Sequence, residues 1–247
     1  MTALPTRKLE AWRYSDIAAV ERAWPVVAEV VHVAAGESAT RMIVQDAMPG
    51  RATIRQFDAV VEAGASLVFH VINSGGAYGR VMLDVALHAG ARFDLGGIIV
   101  AAGEQVLEIV TTVRHLGPGA VSRQVVRCVA GGAATATYLG KVAVAKAGQQ
   151  TDAAQSFKAL LLDKGATANA KPELEIFADD VKCAHGATVG ELDRNALFYL
   201  QSRGVSPAAA QALLTRAFLS DALVGIDDED ARAAAEARVT ALLEAVT

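Results

Sequence analysis

Aromatic residues are scarce in this chain. They make up 5% of its 247 residues, although hydrophobic residues as a whole reach 53%. Ala, Val, Leu and Gly supply the bulk, so a core must be filled by small and branched side chains in many similar layers. Cysteine is rarer still. Cys128 and Cys183 are the only two, too few for a disulfide framework. No apolar run approaches the roughly 18 residues of a membrane-spanning helix, and the longest candidate is Gly97 to Ala102. Residues Met1 to Arg13 carry Arg7, Lys8, Glu10 and Arg13 and lack the apolar stretch of a signal peptide. These absences predict a soluble, cytoplasmic protein with reduced thiols and no membrane contact. A net charge of −4 argues against a nucleic-acid partner, which needs a basic face to neutralise phosphates.

Enzyme signatures are missing as well. Gly140-Lys141 is not a phosphate-binding loop, because Thr135 stands where its first glycine belongs and Val142 where Ser or Thr belongs. No G-x-G-x-x-G follows a strand, and no G-x-S-x-G, C-x-x-C or H-E-x-x-H occurs. Any nucleotide chemistry must therefore come from a partner. A carbohydrate-active solenoid enzyme would need a cleft of carboxylates and aromatics, which 5% aromatics does not supply.

What is present divides into three zones, expected at 1–34, 35–190 and 191–247. In the first, Leu9, Trp12, Arg13 and Ile17 have helical spacing, which predicts a short amphipathic docking helix. The second alternates with a period of two. Leu67, Phe69 and Val71 form one such set, Val81, Leu83, Val85 and Leu87 another, and Leu107, Ile109, Thr111 and Val113 a third. Glycines punctuate these runs at early intervals of 11 to 14 residues, as turns require. Glu62-Ala63-Gly64-Ala65 recurs as His88-Ala89-Gly90-Ala91, an offset of 26. A sandwich, barrel or solenoid all fit short, evenly spaced strands, but a repeat near 26 suits one coil of a β-solenoid with two or three short strands. A strict six-residue apolar repeat, the mark of the left-handed hexapeptide version, is absent.

The third zone is helical. Asp193 is positioned to cap a helix through Leu197, Leu200 and Ser202 that ends at Gly204. Ser206 caps a second, with Pro207 in its first turn. Asp227 to Asp230 suit the N-terminus of a third, whose apolar stripe is Val239, Leu242, Leu243 and Val246.

The densest polar cluster runs from Leu174 to Gly190 and centres on Cys183-x-His185. On an extended strand, residues i and i+2 project from one face, so a thiol and an imidazole would stand side by side. That pair suits zinc, copper or iron bound to sulfur, yet it offers two donors where structural zinc and iron–sulfur clusters take four. A metal site here must be shared with a second chain or completed by Asp179 or Asp180. Two other readings stay open. Cys183 is a small core residue with a backbone-bonded His185 beside it, or the two form a Cys–His nucleophile pair. Cys128, in the strand-like Val125 to Val129, reads as core, and His32, His70, His88 and His115 read as structural or solvent-facing.

Residues 150–204 contain the words Gln150-Thr151-Asp152-Ala153-Ala154-Gln155, Leu160-Leu161-Leu162, Pro172-x-Leu174-Glu175-Ile176, Ala178-Asp179-Asp180-Val181-x-Cys183-x-His185-Gly186-Ala187-Thr188 and Leu197-Phe198-Tyr199-Leu200-x-Ser202-Arg203-Gly204. With these words the segment resembles the SufB/SufD family. Pro5-Thr6-Arg7-Lys8-Leu9-Glu10-x-Trp12-Arg13-Tyr14 is similar to the family's opening, whereas 35–145 matches only in texture. Gly186 after His185 is similar to the SufD branch, since SufB carries Glu there. The chain is shorter than many members.

The resemblance implies a mainly β fold, a right-handed parallel β-helix with N- and C-terminal helical regions. It implies a non-catalytic scaffold in the SufBCD complex, pairing with SufB and docking the SufC ATPase through C-terminal helices. It further implies a transient iron–sulfur cluster at the SufB interface, with His185 and, less directly, Cys183 as metal-site residues, and no cofactor held tightly by this chain alone. The alternative is a homodimeric β-solenoid adaptor without a metal role.

Overall fold

In the computed structural model, which describes residues 3–226 and 228–244, twelve strands wind into a two-sheeted parallel β-solenoid. They are β1 Glu29–Val33, β2 Ser38–Ala47, β3 Ala52–Val61, β4 Ser66–Gly75, β5 Tyr78–Leu87 and β6 Arg92–Ala101. The second half continues as β7 Val106–His115, β8 Val121–Ala130, β9 Thr135–Val144, β10 Asp152–Leu161, β11 Thr167–Ile176 and β12 Lys182–Gly190. Odd strands stack as β1-β3-β5-β7-β9-β11 and even strands as β12-β10-β8-β6-β4-β2. Each coil thus contributes one strand to each face. Register fixes the coil length: Ala52 pairs with Tyr78, a step of 26, and Thr135 with Thr167, a step of 32.

Period two explains the core. Leu67, Phe69 and Val71 of β4 stack in register on Phe93, Leu95 and Gly97 of β6, and Val81, Leu83, Val85 and Leu87 of β5 stack on Ile109, Thr111, Val113 and His115 of β7. All of these inward side chains are buried. In-register stacking puts like-sized residues above one another, so few large rings are needed. Phe57 with Phe69, and Tyr138 with Phe157, supply two ring contacts across the interior. Strands of ten residues are longer than the short strands expected per coil, and there are two of them.

The outer faces are covered at both ends of the chain. Near the N-terminus a 3-10 turn, Glu10–Trp12, precedes α1 Ile17–Ala23, capped by the Asp16 carboxylate on the amides of Ala18 and Ala19. The expected helix over Leu9 to Ile17 is therefore displaced, since Asp16 is the residue able to cap. β1 begins at Glu29, within the first of the expected zones. Beyond the solenoid lie α2 Arg194–Ser202, α3 Pro207–Ser220, a 3-10 turn Asp221–Leu223 and α4 Glu229–Leu243. Asp193, Ser206 and Asp228 cap the three helices, and Gly204 ends α2 with φ of +89°. Val239 and Leu243 of the expected stripe are buried against Ile72, Ile98, Val100 and Val129 of the outer face of the β12-to-β2 sheet. Asp227 and Val246, also named from sequence, lie outside the described residues. Among the described residues no helix is long and apolar enough to cross a membrane.

Candidate functional site at the last coil

The solenoid ends on two edge strands, β11 and β12. Pro172 fits this position in β11, because proline cannot complete a ladder and is confined to edges. β12 pairs on one side with β10: Ala153 with Cys183, Gln155 with His185, Phe157 with Ala187 and Ala159 with Val189. The β10 members of these pairs are the inward, buried ones. Cys183, His185, Ala187 and Val189 therefore face the solenoid axis, but no further coil closes over them among the described residues. His185, Ala187 and Val189 are exposed and Cys183 is half-buried.

The two sequence-predicted site residues thus share one face, two positions apart on a regular strand. Their surroundings differ. Cys183 packs beside Val142, Val144, Ala153 and Ala178, and this burial pushes its thiol pKa up, so the protonated form is favoured. His185 is open to solvent. Asp179 and Asp180 lie in the exposed turn before β12, where Gln150 donates its amide to the Asp180 carbonyl at 2.6 Å. Among the described residues no group of three His, Cys, Asp or Glu side chains is arranged to hold a metal ion. Cys128 is fully buried, and its pKa is raised by desolvation alone.

Large apolar side chains are exposed around this end: Ile176, Phe177, Val189, Phe198 and Tyr199. The last two belong to α2, which buries none of its residues. Local sequence patterns do not mark a polar column inside the solenoid. Gln124, Gln155 and His185 occupy one inward row on successive coils, beyond Leu95 in the same row, and Gln124 and Gln155 are buried. A recurrence of Gln124 and Gln155 in phase with His185, about one coil apart each time, was the available signal.

Such a molecule is a parallel β-solenoid with helical ends, whose last coil is open among the described residues and carries a thiol and an imidazole on one face. Residues 12–218 match the family described as "SUF system FeS cluster assembly, SufBD core domain"; the chain belongs to this family. It is 31% identical over 74% of its length to the iron–sulfur cluster assembly protein SufD of Escherichia coli, covering 43% of that protein. It is 35% identical over 70% of its length to the chloroplastic protein ABCI7 of Arabidopsis thaliana, covering 37% of it. A SufBD family protein of Synechocystis is 40% identical over 51% of this chain and 28% of its own. The chain spans less than half the length of these relatives.

Proposed function

We propose that this chain is a SufD-like, non-catalytic scaffold subunit in iron–sulfur cluster assembly. It pairs with a SufB subunit through the open last coil and docks a SufC ATPase through its C-terminal helices. The cluster is cargo, formed at the junction of the two solenoids. One observation carries this reading: β12 presents Cys183 and His185 on the inward face of a coil that no other element covers among the described residues. Two donors call for more from a second chain, and an unpaired strand edge is a template for one. The exposed apolar residues at this end support an interface there, and Gly186 after His185 supports the SufD branch over the SufB branch.

The nucleotide step belongs to the ATPase. A ligand drives a conformational change only through differential affinity for two states. Nucleotide-driven movement of the ATPase would reach the solenoid through α3 and the Asp221–Leu223 turn. That turn is fastened to β8 by the Arg127 guanidinium, whose Nε lies 2.9 Å from Asp221 Oδ2. The test is His185→Ala in the reconstituted three-component assembly, with cluster formation followed by visible absorbance. A large loss is expected, and undiminished formation rejects the role. Co-purification with SufB and SufC separates this reading from a homodimeric adaptor, which retains neither.

A further inference from the structure

Gln155 is 4% exposed, yet neither its Nε2 nor its Oε1 has a hydrogen-bond partner among the described residues. Its neighbour below, Gln124, is engaged through Oε1 by the Thr111 hydroxyl at 2.7 Å and the Tyr138 hydroxyl at 3.2 Å. Buried amides are almost always paired, so a wholly orphaned one calls for a reason. The coil above Gln155 supplies it. Gln155 is in register with His185 on the adjacent parallel strand. Paired strands lie roughly 4.8 Å apart, and both side chains face the solenoid axis.

We infer that Gln155 is the positioning residue for His185. Its Oε1 accepts the N–H of one ring nitrogen, which fixes the tautomer and leaves the other nitrogen's lone pair directed out of the open end toward the cluster cargo. Metal-binding histidines commonly have their second nitrogen held in this way by an oxygen acceptor. The hydrogen bond is not made in the free chain, where His185 is exposed. It forms when a second subunit covers the last coil and excludes water from the ring. The inference rests on the scaffold reading above, and the two fail differently.

The experiment compares wild type, Gln155→Leu and His185→Ala in the reconstituted SufB-containing assembly. Leucine nearly matches glutamine in size and removes both orphaned polar atoms, so the thermal midpoint of the free chain should be unchanged or higher. Cluster formation should nonetheless fall roughly ten-fold or more, the usual effect of losing a hydrogen-bond partner of a metal ligand. Nitrogen-15 spectra of histidine-labelled assembly, recorded without iron, should show one His185 tautomer in wild type and a mixture in Gln155→Leu. If Gln155→Leu keeps wild-type yield and tautomer while His185→Ala loses activity, the positioning role is overturned and the scaffold reading stands. If His185→Ala is also active, the scaffold reading fails and takes this one with it. A lowered midpoint with an unchanged tautomer assigns Gln155 a packing role and overturns the inference.

Discussion

His115 sits fully buried between two hydroxyls, with Nε2 3.0 Å from Ser122 Oγ and Nδ1 3.4 Å from Thr151 Oγ1. Desolvation disfavours its imidazolium and lowers its pKa from 6.5 to about 4, opposed by the Ala120 backbone. The folded chain therefore binds fewer protons at this site than the unfolded chain between those values. Stability from this residue is complete above about pH 6.5 and is lost as pH falls toward 4, by roughly 3 kcal/mol across the window. His115→Gln keeps a hydrogen-bonding group but cannot titrate there. Urea midpoints measured from pH 7 to 4 should fall less steeply in this variant, and an unchanged slope would refute the assignment.

Single residues also show where sequence reading stops. Leu83 and Leu107 declared themselves as core by alternation, because a neighbour two places away faces the same way. His115, Gln155 and the buried pair of Arg80 with Glu108 broke that alternation or sat on outward positions, so nothing local marked them. Arg80 and Glu108 are in register on adjacent coils. Their burial comes from an element far away in sequence: Trp12 lies 3.8 Å under the Arg80 guanidinium, and Ser15 donates to Glu108 Oε2 at 2.9 Å.

The appended elements are held by few but specific contacts. On the N-terminal side, Arg80 also donates to the Ala11 carbonyl at 2.7 Å, and Trp12, Ala19 and Val20 are buried with Tyr78 in one apolar cluster. On the C-terminal side the backbone of the Asp221–Leu223 turn rests on Gly96 of β6. A Cβ at Gly96 would collide with the Ala222 carbonyl and with the His70 ring. The helix caps Asp193 and Ser206 were legible in sequence, because a capping side chain acts on amides two or three residues ahead, and the third cap, Asp228, falls within the acidic run expected at a helix start. The landing place was not legible, since a glycine in a strand looks the same whether it faces a turn or a helix. Gly96→Ala should lift the turn from the sheet while leaving the coils wound. Hydrogen exchange is expected to accelerate in α3 and α4, with β6 and β8 still protected. Unaltered exchange in both helices would mean that the turn accommodates a methyl group.

For the whole molecule, the repeat of 26 residues revealed a stack, but a stack does not say where it stops. The inward row Val71, Gly97, Val126, Phe157, Ala187 runs through successive coils. Phe157 is buried at 1% exposure, whereas Ala187 above it is exposed. If a second subunit continues the solenoid here, Ala187 becomes an interior residue only in the complex. Ala187→Lys then separates folding from assembly. In the free chain the ammonium stays in water and the thermal midpoint should shift little. In the complex the charge would be buried without a partner, at several kcal/mol, so affinity for a SufB-type subunit should drop at least about a hundred-fold. Calorimetric titration of the two purified chains reads this directly. Wild-type affinity in the lysine variant would place the subunit contact elsewhere on the molecule, away from the face that carries Cys183 and His185.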